Sequence, residues 1–159
     1  MSLNNLPDKT DSVERAEIVI RNHVILSMGF GLIPIPLLDT VGLTGTQLAM
    51  LRKLAKIYHI PFSEHIGKSA LMSLIGGTGS VPVAGIVFTA MKALPIIGTS
   101  IAAITMPVTA GAITHATGRI FHQHFASGGT FLTFDPKKVQ AYYYQEFSSF
   151  KEHHVQSDY

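Results

Sequence analysis

SALMSLIGGTGSVPVAGIVFTAM, Ser69 to Met91, and ALPIIGTSIAAITMPVTAGAITHATG, Ala93 to Gly118, flank Lys92, the one side chain between Ser69 and Gly118 that is certain to be charged at neutral pH. The first block has 23 residues and the second 26. A hydrocarbon core of roughly 30 Å is crossed by about 20 largely apolar helical residues, so either block is long enough to span a membrane. Neither is uniformly apolar. Gly76, Gly77, Gly79, Pro82 and Gly85 interrupt the first, and Pro95, Gly98, Pro107 and Gly111 the second. Backbone released from helical hydrogen bonding finds no partner in lipid. The expectation is therefore an interrupted hydrophobic hairpin with its bend at Gly76, Gly77 and Gly79. Its small residues, Gly98, Ala102 and Gly111 among them, permit close helix packing.

The remaining composition points the same way. The chain has 159 residues, enough for one domain and a sizeable core, yet Asp, Glu, Lys and Arg make up only 14% of it, against about 25% in ordinary soluble domains. No carboxylate occurs between Glu64 and Asp135. Mean hydropathy is +0.30. A formal charge of +2 is too small to imply nucleic acid as a partner. With no cysteine, disulfides, thiolate chemistry and cysteine-based zinc sites are excluded. The opening MSLNNLPDKTDSVERAE mixes charges of both signs without an apolar run, which does not fit a signal peptide.

Working outward, Asp11 or Ser12 is placed to cap a first helix beginning VERAEIV that ends near Gly29 and Gly31. Pro34 and Pro36 in LIPIPLLD force an extended connection, with Asp39 or Thr40 as the cap of the next helix. That helix, Val41 to His59, repeats apolar residues at Leu43, Met50, Leu54 and Ile57 and carries Arg52, Lys53 and Lys56 on the remaining arc. Pro61 ends it, and Ser63 with Glu64 starts another. Gly67-Lys68-Ser69 imitates the end of a phosphate-binding loop, but Phe62 stands where that loop needs glycine and no strand precedes it. His115, His122 and His124 imitate a metal cluster, but only the first two share a helix face and no carboxylate is close in sequence. Gly128 and Gly129 end the second apolar helix, and Asp135-Pro136 begins a last one with Val139, Tyr143, Phe147 and Phe150 on one side.

The cations also suggest an orientation. Arg52, Lys53, Lys56 and Lys68 precede the two blocks and Arg119, Lys137 and Lys138 follow them. The positive-inside rule then places both termini in the cytoplasm of a bacterial inner membrane, with these seven side chains at headgroups or anionic lipid.

Gly31 to Asp39 (GLIPIPLLD), followed by QLAMLRKLAKIY from Gln47 to Tyr58, resembles the DUF697 family, which includes the YcjF-like proteins. The resemblance covers roughly residues 15–125. It implies a mostly helical, membrane-associated domain, found in several members behind a GTPase domain, and marks Pro34, Pro36, Asp39, Met50 and Tyr58 as a structural motif. Neither a GTPase domain nor a nucleophile and base pair is present in this sequence, so no enzyme and no cofactor are expected. The expected class is all-α: a flexible N-terminus (residues 1–12), a helical membrane domain (residues 13–127) and a C-terminal extension with an aromatic amphipathic helix (residues 128–159). The expected role is a membrane anchor or interaction module. Its expected partners are the lipid bilayer, further copies of itself, and a separately encoded GTPase or other cytoplasmic protein. The alternatives are a pore-lining or membrane-remodelling oligomer, and a soluble α-helical interaction domain that buries its hydrophobic hairpin.

Overall fold

The computed structural model describes residues 9–32, 36–77 and 99–156. Among the described residues five α-helices follow one another: α1 (Lys9–Phe30), α2 (Pro36–Ile57), α3 (Glu64–Gly77), α4 (Thr99–Ala126) and α5 (Pro136–Gln156). A 3₁₀ turn, Phe131–Thr133, joins the last two. The all-α class holds, and no strand occurs among the described residues.

Local chemistry sets the helix ends. Pro36 opens α2, where its missing N–H would have had no helical partner anyway. Asp39 therefore lies one turn inside the helix rather than at its cap. The Ser63 hydroxyl accepts the Ile66 amide at 3.3 Å and caps α3. That helix runs through Gly67-Lys68-Ser69, so its amides are committed to helical bonding and form no phosphate loop. At the end of α4, Gly128 takes φ +85°, and the Gly129 amide reaches back to the His124 carbonyl at 2.9 Å, a reversal that favours glycine. The Asp135 carboxylate accepts the Lys137 amide at 3.0 Å and caps α5.

α4 is the axis of the bundle. It packs on α1, α2 and α5, while α3 lies against α2 and α5. Every residue from Pro107 to Phe125 is buried or half-buried except Gln123. Ala112, Ala116, Ile120 and Phe121 meet Ala16 and Ile20 of α1, Met50, Leu51 and Leu54 of α2, and Tyr143 and Phe147 of α5 in one apolar core. Small residues let the helices close on one another. A Cβ on Gly118 would stand 2.9 Å from Ile20 Cγ1 and 3.1 Å from Met50 Sδ, and one on Gly31 would stand 2.8 Å from Pro107 Cα. Between α1 and α4 the buried Ser27 and Thr114 hydroxyls share a hydrogen bond of 2.7 Å.

These observations correct the membrane reading. Among the described residues no helix is long and apolar enough to cross a membrane. The described part of the second block, Thr99 to Gly118, belongs to α4, and from Pro107 onward its surroundings are the chain's own helices rather than lipid. The spanning hairpin, the bilayer as partner, the pore and the inner-membrane placement lose their basis. Gly111 and Gly118 are occupied within the chain by Met28, Phe150, Ile20 and Met50, so these two glycines do not speak for a second copy. The separate GTPase rested on the resemblance alone, and no described feature speaks for it. Gly76 and Gly77 are the last two residues of α3. Gly79, Lys92, Gly98 and Pro34 lie outside the described residues, as do the side chains of Asp39 and Ala102.

Candidate functional site

Two features stand out: a polar network where α1, α4 and α5 meet, and a basic, apolar groove between α1 and α2.

The network is built on His115, Arg119 and His122, which α4 presents on one side at spacings of four and three residues. Their acidic partners come from other helices. His115 Nε2–H donates to Glu146 Oε2 of α5 at 3.1 Å. Arg119 Nη1 donates to Glu17 Oε1 of α1, and Arg119 Nε lies 3.7 Å from Glu146 Oε2. His122 Nδ1 lies 3.6 Å from Glu17 Oε1, and its ring stacks on Tyr58 at 5.8 Å between centroids. The Tyr142 hydroxyl donates to Glu146 and accepts from Arg119.

Burial and charge pull these groups in opposite directions. For His115, burial lowers the pKa below the ordinary histidine value, and the bond to Glu146 opposes without reversing it. His122 is lowered by burial against the attraction of Glu17. At neutral pH the His115–Glu146 contact is therefore a hydrogen bond donated by a neutral imidazole rather than an ion pair. Burial alone would lower Arg119, but Glu17, Tyr142 and Glu146 together raise it. Tyr142 is raised by burial and then by Glu146, and Tyr58 by burial and then by Glu17. One guanidinium between two carboxylates ties α1 and α5 to the axis. Among the described residues no group of three or more His, Cys, Asp or Glu could hold a metal ion.

Arg119, expected at a headgroup surface, is thus committed to Glu17 and Glu146. His23 is buried and its Nδ1–H donates to the Val19 carbonyl at 2.7 Å. Its pKa is lowered, chiefly by burial. Met50 is a core residue, and Gly111 takes Met28 and Phe150 against its bare Cα. Arg52, Lys53, Lys56, Lys68, Lys137 and Lys138 are exposed. Glu17 and Glu146 were missed, being 102 residues from Arg119 and 31 from His115 in sequence. One signal was available: Glu146 is a carboxylate on the flank of the Val139–Tyr143–Phe147 stripe.

The groove holds about 330 Å³ and is lined by Arg15, Ile18, Val19, Lys53, Lys56 and Ile57. A second groove, of about 410 Å³, shares Lys53 with the first and is lined further by Gly45, Leu48, Ala49, Arg52, Phe62 and Glu64. The Arg52 guanidinium sits over the Phe62 ring, 5.4 Å from its centroid. The cationic ridge of α2 therefore has apolar surface beside it in both grooves.

The chain matches the model of the family described as "Domain of unknown function (DUF697)" over residues 8–152, a range that includes most of α5. It is 34% identical over 145 residues to a protein named magnetosome membrane protein 22 from Magnetospirillum gryphiswaldense, the alignment covering 89% of this chain and 74% of that protein. No solved structure matches the chain.

Proposed function

Taking as premise that this chain belongs to the DUF697 family, we propose that it is a non-catalytic α-helical interaction domain, which keeps the apolar stretch from Pro107 to Gly118 among its own helices and receives a protein partner along the outer face of α1. One observation carries this reading. Of the nine large hydrophobic side chains exposed among the described residues, five (Val13, Ile18, Ile25, Leu26 and Leu32) belong to α1 and the turn after it. Ile18 and Ile25 stand seven residues apart on α1, a spacing that draws one line along a helix, and Leu32 follows seven residues later in the turn after it. Ile25 is 62% and Leu32 66% exposed, and the Cβ direction of Gly29, on the same line, meets no atom within 4 Å. A seam of this kind is the half-interface that helix-on-helix recognition uses. The polar network fits the same role, because through Glu17 it fixes α1 to the axis.

The test is a photo-crosslinking residue placed in the full chain at Ile25 and, as reference, at the exposed Ser148 of α5, in cells that produce the protein. A protein adduct of one discrete mass at position 25 and none at 148 is expected. Adducts to lipid, or equal labelling at both positions, would contradict the reading.

A further inference from the structure

The α1–α2 groove carries a charge pattern that the apolar seam does not explain. From Thr40 to Ser63 the sequence holds Arg52, Lys53 and Lys56 and no carboxylate. Among the described residues Lys53 and Lys56 enter no ion pair, whereas Arg15, across the groove, has only a loose contact of 3.6 Å with the exposed Asp11. The floor is apolar: Ile57 is buried, Val19 half-buried and Ile18 exposed. α1 and α2 run antiparallel, since Phe30 meets Gly42 at one end and Ile18 meets Ile57 at the other. The groove therefore sits at one end of the seam and is continuous with it. Ile18 to Phe30, the end of α1, spans about 18 Å at 1.5 Å per residue, a little over three helical turns.

We infer that the groove between α1 and α2 docks an acidic amphipathic helix of a partner protein, with carboxylates against Arg15, Lys53 and Lys56 and apolar side chains on Ile18 and along the seam toward Ile25. This rests on the interaction-domain reading above and adds the chemistry of the partner. The observations favour a protein helix over an anionic lipid surface because the apolar floor is recessed between two helices. A flat layer of headgroups reaches the cationic rim, whereas side chains projecting from a helix also reach the floor. Rim charges of this sort govern which partner is accepted and how fast it arrives, and their effect is screened by salt.

The experiment uses the full chain and a fluorescent synthetic helix of about 18 residues, with leucines at i, i+3, i+4 and i+7 and glutamates on the rest of its surface. Binding is read by anisotropy. Binding that weakens as salt rises from about 50 to about 300 mM is expected, with a further loss of roughly tenfold or more on Lys53→Glu with Lys56→Glu. The reversed variant should in turn bind a peptide whose glutamates are replaced by lysines, a swap that a merely misfolded variant cannot produce. Ile18→Ser should weaken both pairings. Equal binding of a glutamine-for-glutamate peptide would overturn the acidic partner and leave the interaction domain standing. Vesicles of phosphatidylglycerol that bind with the same Lys53 and Lys56 dependence, while the acidic peptide does not bind, would assign the groove to lipid and overturn the inference. Failure of every peptide, with the Ile25 crosslink retained, would place the partner on the seam alone and also overturn it.

Discussion

Alanine at Gly118 and alanine at Gly45 should move stability in opposite directions. Both glycines lie inside helices, and replacing either gains about 0.8–1 kcal/mol of helix propensity. Gly45 is exposed on α2, and a Cβ there meets no atom within 4 Å, so Gly45→Ala should stabilise by about that amount. At Gly118 the new methyl would lie 2.9 and 3.1 Å from Ile20 Cγ1 and Cγ2 and 3.1 Å from Met50 Sδ. Ile20 is 2% exposed and Met50 fully buried, so neither has free space to retreat into. Overpacking a closed core costs about 1–3 kcal/mol. After the propensity gain, Gly118→Ala should be destabilised by about 0–2 kcal/mol, leaving about 1–3 kcal/mol between the two variants. Urea unfolding followed by helical circular dichroism reads this directly. With a slope of about 2 kcal/mol/M, the two midpoints should differ by about 0.5–1.5 M. Equal stabilisation by both substitutions would refute the reasoning, because it would mean that α4 at Gly118 is not in contact with α1 and α2.

Three further outcomes rest on buried and half-buried polar groups. Thr114→Val strips the Ser27 hydroxyl of its 2.7 Å partner and should cost about 1–3 kcal/mol, of which Ser27→Ala in the same chain should restore part, as a double-mutant cycle in urea would measure. His23, His115 and His122 all titrate below the ordinary value of 6.5 in the folded chain, burial being the largest cause for each. The unfolded chain therefore binds more protons on acidification. The stability these groups contribute is complete above about pH 6.5 and is lost as pH falls through their folded values, so the urea midpoint should drop between about pH 7.5 and pH 5.5. Arg119 also holds His115 and His122 down, so Arg119→Met should move both titrations upward when followed by NMR.

Much of the fold was legible where the chemistry is local. Ser63 before Glu64, Asp135 before Pro136 and the paired Gly128-Gly129 each announce a helix end through bonds made within a few residues, and the structure makes those bonds. The stripe Leu43, Met50, Leu54, Ile57 declared the inner face of α2 by its period. What the sequence could not declare was the surroundings of an apolar helix. From Pro107 to Gly118 the chain has the length and apolarity of part of a membrane span, and those properties are the same whether the neighbours are lipid or Ile20, Met50 and Tyr143. The buried Thr109, Thr114 and Thr117 and the glycines at 111 and 118 were the available sign of a protein environment, since they suit close helix contact. The network was hidden for a different reason. Sequence proximity was used to look for carboxylates near His115 and His122, whereas helices packed side by side bring Glu17 and Glu146 from far along the chain. Arg119 between two histidines on one helix face was itself the clue that counter-charges had to arrive from elsewhere.

The central claim, that the apolar run of α4 is enclosed by the chain's own helices, is tested most directly by hydrogen exchange on the purified chain in buffer without detergent. Amides from Val108 to Phe125 should be the slowest to exchange, and adding detergent micelles should leave their protection unchanged. Exchange there as fast as at the ends of α1 and α5, with protection gained only when micelles or vesicles are added, would contradict the account.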